Sequence, residues 1–245
     1  MIVTAALCPG PPLLIGELTG AASVAEDLRS ACTDAVGELI AAEPEAIVVV
    51  GAAEQTEGWP EAGPLDLAVF APGPAGPSQA GIKAAANRPT SLGVGGWLLT
   101  ACGYRGPQIL QAVGAAEPAD RCARLGAALA KAAGRQALLV VADGSARRTL
   151  KAPGYLDERS AGFDESVERC FRTGRLDDLL GLDPALAAEL MAAGRPAWQV
   201  LAGALAGRAV SSEIRYQGDP FGVAYLVASL RLDPVGTDDG GSGNV

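Results

Sequence analysis

Residues 47–54, IVVVGAAE, open with four consecutive β-branched side chains and reach a glycine at position 51. β-Branched residues favour strands, and an unbroken apolar run is typical of a parallel strand that is covered on both faces. Two other segments, Ile2–Leu7 and Ala137–Val141, have the same buried-strand character. Strands of this kind need helices on both sides of the sheet. The run at 47–54 therefore predicts a parallel central sheet between helical layers.

The segments around these strands supply the predicted helices and the remaining strands. Apolar residues recur at helical spacing at about 21–42, 91–102, 118–133, 157–172, 184–193 and 196–206. Further strands are predicted at Leu65–Phe70 and Gln108–Val113, and Ala209–Tyr216 is predicted to pair with Val223–Leu230 in antiparallel fashion. The sequence thus predicts the α/β class, with a mainly parallel central sheet, helices on both faces and a C-terminal antiparallel strand pair.

The length of the chain, 245 residues, suits one α/β domain with a full core. We expect that single domain over residues 1–232 and a disordered tail over residues 233–245, because the end of the chain, GTDDGGSGNV, is polar and rich in glycine. The stretch APGPAGPSQA at 71–80 is predicted to be a loop, since proline and glycine interrupt any periodicity there.

The net charge and the distribution of apolar residues limit the kinds of partner that the protein can bind. A formal net charge of −9 without a basic stripe argues against a nucleic-acid or anionic-membrane surface. No apolar run approaches the roughly 20 residues of a membrane span, and Met1–Thr4 leads into a strand without a basic region. The 5 scattered cysteines predict reduced thiols, with no disulfide and no zinc knuckle. We therefore expect a cytoplasmic protein that binds small molecules or proteins, the latter as a homo- or hetero-oligomer.

The chain contains no histidine. This composition excludes Ser-His-Asp and Cys-His catalysis, histidine-bound zinc sites and the iron site built from two histidines and one carboxylate.

Three loops are the candidate ligand sites, because ligands of open α/β sheets bind beyond the carboxyl ends of the strands. They are Cys8–Pro12, Gly51–Glu57 and Ala142–Arg148. The first, CPGPP, is stiff, since proline fixes its own φ and holds the preceding residue in an extended conformation. A stiff loop holds a side chain still, yet its central residue, Gly10, has none.

The loop after the strand at 137–141, within VVADGSARR, carries Asp143, Ser145, Arg147 and Arg148. One interpretation is an anion clamp in which the two arginines hold a carboxylate or phosphate and Asp143 orients them. The other is a solvated turn with ion pairs, because loops after buried strands serve both purposes.

Four further residues have a functional and a structural interpretation. Glu54 and Glu57 are ligand types that suit Mg²⁺ or Ca²⁺, but carboxylates in one loop are more often simply exposed. Cys8 stands where a nucleophile would act, but with no histidine base a buried inert thiol is favoured. Trp198 lies in an apolar helical setting, which favours a core position.

The order of these segments resembles a known family. CPGPPLL, IVVVGAAE, VVADGSARR, KAPGYLDERSAGFDESV and GRPAWQVLAGALAG together are similar to the LigB-like family, the class III extradiol ring-cleavage dioxygenases and their relatives, over about Ile2 to Leu230. The resemblance implies four histidines that bind the metal or take part in catalysis. The matching positions hold Gly10, about Ala53, about Arg148 and about Gln199.

Three hypotheses follow for the function. The first is a metal-free, catalytically inactive relative, with no cofactor, that binds a small anionic or aromatic ligand in the cleft; its ligand-binding residues are predicted to be Glu54, Asp143, Ser145, Arg147, Arg148, Tyr155 and Gln199. The second is an extradiol dioxygenase-like or hydrolytic enzyme with carboxylate metal ligands such as Glu54 and Asp143. The third is an interaction subunit that pairs with a homologue. The first is favoured, because Arg148 is permanently charged and binds anions but does not act as a base near neutral pH.

Overall fold

The computed structural model describes residues 1–19, 25–59 and 88–233. The predicted strand at Leu65–Phe70, the predicted loop at 71–80 and the tail after Asp233 lie outside these residues. In the described part, no helix is both long and apolar enough to cross a membrane.

The described elements follow each other in an alternating order. The strands are β1 (Ile2–Cys8), β2 (Ala46–Ala53), β3 (Glu57–Trp59), β4 (Gln108–Gly114), β5 (Gln136–Val141), β6 (Val210–Gly218) and β7 (Tyr225–Leu232). The α-helices are α1 (Gly16–Thr19), α2 (Glu26–Ala41), α3 (Thr90–Ala101), α4 (Ala119–Ala130), α5 (Arg159–Thr173), α6 (Pro184–Glu189) and α7 (Arg195–Leu205). Short 3₁₀ turns lie at Pro12–Leu14 and Leu176–Gly181.

The described strands form one seven-stranded sheet with the order β3-β4-β2-β5-β1-β7-β6. The four central strands β4, β2, β5 and β1 are parallel, whereas β7 and β6 join β1 in antiparallel fashion and β3 is antiparallel to β4. The predicted α/β class, with a mainly parallel sheet and a C-terminal antiparallel pair, is confirmed.

Alternating side chains of β2 show how the sheet is covered on both faces. Val48 and Val50 pack into one hydrophobic core with residues of α5 and α7, while Ile47 and Val49 pack into a second core with residues of α2 and α3. Successive strand residues point to opposite faces, so a continuous apolar run serves two cores at once. Helices on both faces are therefore a direct consequence of the sequence at 47–54.

Several element bounds differ from the sequence prediction. The third predicted helix, at 118–133, ends at Ala130, and the helix at 184–193 ends at Glu189. Four elements were not predicted: the edge strand β3, helix α1 and the 3₁₀ turns Pro12–Leu14 and Leu176–Gly181. All four are short and lack a periodic pattern in the sequence.

Candidate functional site

The carboxyl ends of three neighbouring strands form the centre of the candidate site. Strand β5 lies between β1 and β2, so that Val141 is in register with Cys8 on one side and with Gly51 on the other. The sequence predicts that the strands ending near Leu7, Val50 and Val141 are adjacent, and this is confirmed. The three candidate loops consequently leave the sheet at one edge.

Gly10, in the middle of the proline loop, contributes a backbone group to this edge. Its N–H donates to Oδ1 of Asp143 at 2.8 Å. A Cβ atom at this position would lie 2.9 Å from Cγ1 of Val141 and 3.5 Å from Cα of Ser91. Close-packed interiors do not absorb such an approach without strain. The stiff loop thus presents a peptide N–H to a carboxylate and has no room for a side chain.

The first turn of α3 closes the end of β2. A Cβ atom at Gly51 would lie 2.6 Å from Cβ of Ser91, and the Ser91 hydroxyl donates to the carbonyl oxygen of Ala52 at 2.8 Å. Ala53, the last residue of β2, carries only a methyl group and packs partly against the core on the α2 and α3 side. At the ends of both β1 and β2, helix packing therefore occupies the space next to the backbone.

Asp143 lies in a desolvated position beside the proline loop. Burial raises the pKa of its carboxyl to about 6, against the opposing effect of the Gly10 N–H. Burial also raises the pKa of the Tyr225 phenol, and the charge of nearby Asp143 contributes to this. Asp143 consequently changes its charge closer to neutral pH than an ordinary aspartate does.

A second cluster links Ser145, Arg148 and two aspartates. The N–H and the hydroxyl of Ser145 donate to the two carboxylate oxygens of Asp164 at 2.9 and 2.5 Å. Nε of Arg148 donates to Asp219 at 2.9 Å, and its Nη1 lies 3.8 Å from Asp164. Burial raises the pKa of Asp164, while Ser145 and Arg148 oppose that rise. The positive charge of Arg148 is thus shared between two carboxylates.

A cavity of about 200 Å³ opens beside this cluster, between α5, α7 and the β6–β7 hairpin. Its apolar wall is formed by Val167, Trp198, Tyr225 and Leu226, and its polar rim by Arg148, Asp164, Glu165, Glu168, Gln217 and Asp219. Drug-sized ligands occupy roughly 300–1,000 Å³, so this cavity suits a smaller molecule. Its mixture of apolar wall and few polar groups is typical of a small-molecule site.

Arg147 and Tyr155 do not line this cavity. Cγ of Arg147 would lie 2.7 Å from a Cβ atom at Gly154, and its charge helps Arg159 to lower the pKa of Asp157 to about 2. Tyr155 is 63% exposed. The structure therefore differs from the expected clamp of Arg147 and Arg148 oriented by Asp143. The reason is local packing, since Arg147 lies against Gly154 and close to Asp157, whereas Arg148 pairs with Asp164 and Asp219.

Gln199 and Glu54 lie elsewhere as well. Gln199 is buried in α7, where its Oε1 accepts from Nη1 of Arg195 at 2.8 Å and its Nε2 donates to the carbonyl oxygen of Leu179 at 3.2 Å. Glu54 lines a separate surface depression together with Thr56 and Glu117. Of the predicted ligand-binding residues, the structure brings Arg148 to the cavity wall and places Ser145 and Asp143 directly behind it.

The metal centre that the family resemblance implies does not fit the residues present. Gly10 has no side chain and no space for one, and Ala53 offers no ligand atom. Within residues 1–19, 25–59 and 88–233, no three His, Cys, Asp or Glu side chains converge in a way that could hold a metal ion. Carboxylate ligation by Glu54 and Asp143 gains no support from this arrangement, because the two residues belong to different clusters.

Cys8, the candidate nucleophile, is fully buried at the end of β1. A hydrogen bond with the thiol of Cys32 raises the pKa of the Cys8 thiol, and burial raises it further. A thiol with a raised pKa stays protonated near neutral pH and is a poor nucleophile. The interpretation as an inert thiol is therefore the better one.

Sequence reasoning missed most of the cavity wall. Asp164 and Glu168 lie on α5 at helical spacing, which in the sequence is indistinguishable from a solvated helix face. Asp219 lies in the β6–β7 turn, whose sequence QGDPFG indicates only a turn. Trp198 was predicted as a core residue, and it is both buried and part of the cavity wall.

Comparison with known proteins gives a family match and a likeness to a solved structure. Residues 106–228 match the model of a family described as the catalytic LigB subunit of aromatic ring-opening dioxygenase. The chain is also similar to the crystal structure of uncharacterized protein JW3007 from Escherichia coli K12, with a TM-score of 0.52 and 16% identity over 94% of this chain and 99% of that one. This second likeness concerns the fold alone. No curated protein matches the chain.

Proposed function

This chain belongs to the LigB family of aromatic ring-opening dioxygenase subunits, and from this premise we propose that it is a metal-free, catalytically inactive member that binds a small aromatic ligand. The observation that carries the proposal is the environment of Gly10. Its N–H is bonded to Asp143, and the space where a side chain would begin is taken by Val141. A metal ligand at this position would need both a different residue and a different packing.

The cavity beside Arg148 supports the binding half of the proposal. Trp198 and Tyr225 give it an aromatic wall, and Arg148 is held by its hydrogen bond to Asp219 and by its ion pair with Asp164. Aromatic side chains bind planar ligands through offset or edge-to-face contacts. Function depends on the residues of such a site, so a protein can keep the fold of its family while its activity is lost or changed.

The proposed loss of catalysis follows from the side chains at the positions where the resemblance implies histidines. Arg148 stands where the resemblance implies a histidine base, and a guanidinium cannot give up its proton near neutral pH. Its Nε is also engaged by Asp219. Neither a base nor a metal-binding loop of the family's type is supported by the residues at these positions.

The binding proposal is tested by blocking the cavity without disturbing the core. Ala161 lines the cavity from the exposed side of α5, so Ala161→Phe should fill its mouth. We expect small phenols to raise the melting temperature of the unmodified protein but not that of Ala161→Phe. The matched control is Ala188→Phe on α6, at an exposed position outside the cavity, which should keep the shift. Equal shifts in all three proteins would contradict the proposed site.

A second candidate function, an interaction subunit, is favoured by a specific group of exposed apolar side chains. Leu150 and Phe221 line one surface depression, and Tyr155 and Leu156 follow in the same loop. Contiguous exposed apolar surface is typical of protein contacts. The test is the mass of the protein in solution: a dimer of the unmodified chain that dissociates on Phe221→Ser would support this candidate, and a monomer at all concentrations would contradict self-association.

A further inference from the structure

The charged groups around the cavity are mostly negative. Four carboxylates contribute to its lining against one guanidinium, that of Arg148; they belong to Asp164, Glu165, Glu168 and Asp219. A concave site with walls of low dielectric constant strengthens the field of such groups. This negative field repels an anionic ligand and attracts a cation.

Three of these carboxylates already have partners. Asp164 accepts from Ser145, Asp219 accepts from Arg148, and Glu168 accepts from Gln217 and pairs with Arg172. These bonds fix the orientation of the rim. Three of the four carboxylates around the cavity are therefore held in fixed positions.

Glu165 differs from the other three. It lies on the exposed side of α5 at the cavity lining, and among the described residues it has no hydrogen bond and no ion pair. A carboxylate at the mouth of a cavity, beside three partnered ones, leaves one negative charge for a ligand to meet.

The aromatic wall supplies an independent observation. Trp198 is 1% exposed, forms part of the cavity wall, and its indole N–H has no hydrogen-bond acceptor among the described residues. A buried N–H without a partner is unfavourable unless a ligand supplies an acceptor. The faces of indole and phenol rings also attract organic cations. Trp198 and Tyr225 therefore suit a ligand that carries both a hydrogen-bond acceptor and a positive charge.

From these observations we infer that the ligand is a small aromatic ammonium ion with a hydroxyl group, held by the aromatic wall and by the free carboxylate of Glu165. This inference rests on the proposed function and specifies its ligand class. It replaces the anionic ligand that the arginines alone suggest, because carboxylate oxygens of Asp219 and Asp164 lie 2.9 and 3.8 Å from the Arg148 guanidinium and offset its positive charge.

Three phenols of matched size distinguish the ligand charges: 4-hydroxybenzylamine is cationic, 4-hydroxybenzyl alcohol is neutral and 4-hydroxybenzoate is anionic. Isothermal titration at neutral pH should give the amine an affinity about tenfold higher than that of the alcohol, a difference of about 1.4 kcal/mol, and the benzoate the lowest affinity. Because the attraction is electrostatic and partly exposed, added salt should reduce the preference for the amine.

Variants localise the effect. Glu165→Gln should lower the affinity for the amine several-fold and leave that for the neutral alcohol unchanged. Glu43→Gln removes the same charge from the loop before β2, at the opposite edge of the sheet, and should change neither. Binding of the benzoate in preference to the amine would overturn this inference and leave the proposed function standing. Failure of all three phenols to bind would overturn both.

Discussion

At the scale of single residues, Gly10 decides what the proline loop can do. A Cβ atom there would approach Cγ1 of Val141 to 2.9 Å, and valine is stiff about χ1, so it cannot turn aside easily. We predict that Gly10→Ala lowers the free energy of unfolding by about 1–3 kcal/mol, the usual effect of overpacking. Urea denaturation measures this change.

Gly16 provides the matched control for that substitution. No atom lies within 4 Å of a Cβ built on Gly16, and its φ is not positive. Gly16→Ala should therefore change the stability by no more than about 0.5 kcal/mol. Two substitutions with equal effects would show that the space at Gly10 is open.

Asp143 makes stability depend on pH in an unusual direction. Its pKa is raised from 3.8 in the unfolded chain to about 6 by burial, so between these values the folded state holds the proton more tightly. Stability is highest below the unfolded pKa and falls as the pH rises towards 6. We predict that Asp143→Asn, which keeps an acceptor for the Gly10 N–H, is more stable than the unmodified protein by about 2 kcal/mol at pH 7.5. At pH 4 the advantage should largely disappear.

The pKa of Asp157 is shifted in the opposite direction, so Asp157 serves as the control for Asp143. Hydrogen bonds from Arg159 lower its pKa to about 2, so its contribution is present above pH 4 and is lost as the pH falls towards 2. Asp157→Asn should destabilise the protein at neutral pH. If both variants shifted stability in the same direction at pH 7.5, the assignment for Asp143 would be wrong.

At the scale of elements, helices α4 and α7 meet through two glycines. A Cβ atom at Gly203 would lie 2.5 Å from Cα of Ala123, and one at Gly126 would lie 2.6 Å from the backbone nitrogen of Ala204. Backbone cannot rotate away as a side chain can. Gly203→Ala should therefore destabilise by about 1–3 kcal/mol, as measured by thermal or urea unfolding.

Gly162, another helical glycine, provides the control for this substitution. Gly162 lies within α5, and a Cβ atom there meets nothing within 4 Å. Gly162→Ala should stabilise the protein by about 0.5–1 kcal/mol, because alanine loses less conformational entropy than glycine in a helix. Stabilisation by both substitutions would argue against the close contact of α4 and α7.

The strength of a local signal determined which elements could be predicted. The β-branched run at 47–50 and the apolar strand at 137–141 indicate buried strands without reference to anything else, and the adjacency of β1, β2 and β5 was predicted because their loops have to meet in one cleft. The edge strand β3 has three residues and no such pattern. Its position depends on pairing with β4, which no local feature predicts.

The candidate site was predictable only where it belongs to a strand end. Ser145 and Arg148 follow β5 and were found in this way. Asp164 and Asp219 are 16 and 71 positions from Arg148 along the chain, so their meeting depends on how α5 and the β6–β7 hairpin pack. Arg147 is equivalent to Arg148 in the sequence, but the two side chains have different neighbours in the folded chain.

At the scale of the whole molecule, Asp233 makes the last contacts in the described part of the chain. Its carbonyl oxygen accepts from Nη2 of Arg208 at 2.7 Å, and its N–H donates to Ala209 at 3.3 Å. The residues that follow lie outside the described part, and their composition predicts that they add nothing to folding. A chain ending at Asp233 should keep the melting temperature of the full chain, whereas one ending at Leu230 should lose stability. A clear decrease with the first truncation would show that the tail contributes to the fold.

Iron binding shows whether this LigB-family chain has a metal centre. The purified protein is loaded with excess Fe²⁺ under anaerobic conditions, desalted, and its iron is measured per chain by elemental analysis. Because Gly10 has no side chain and Ala53 has only a methyl group, we expect iron far below one equivalent, as for a control protein without a metal site. Retention of one iron per chain would show that a metal centre is present and would favour ligation by carboxylates such as Glu54 and Asp143.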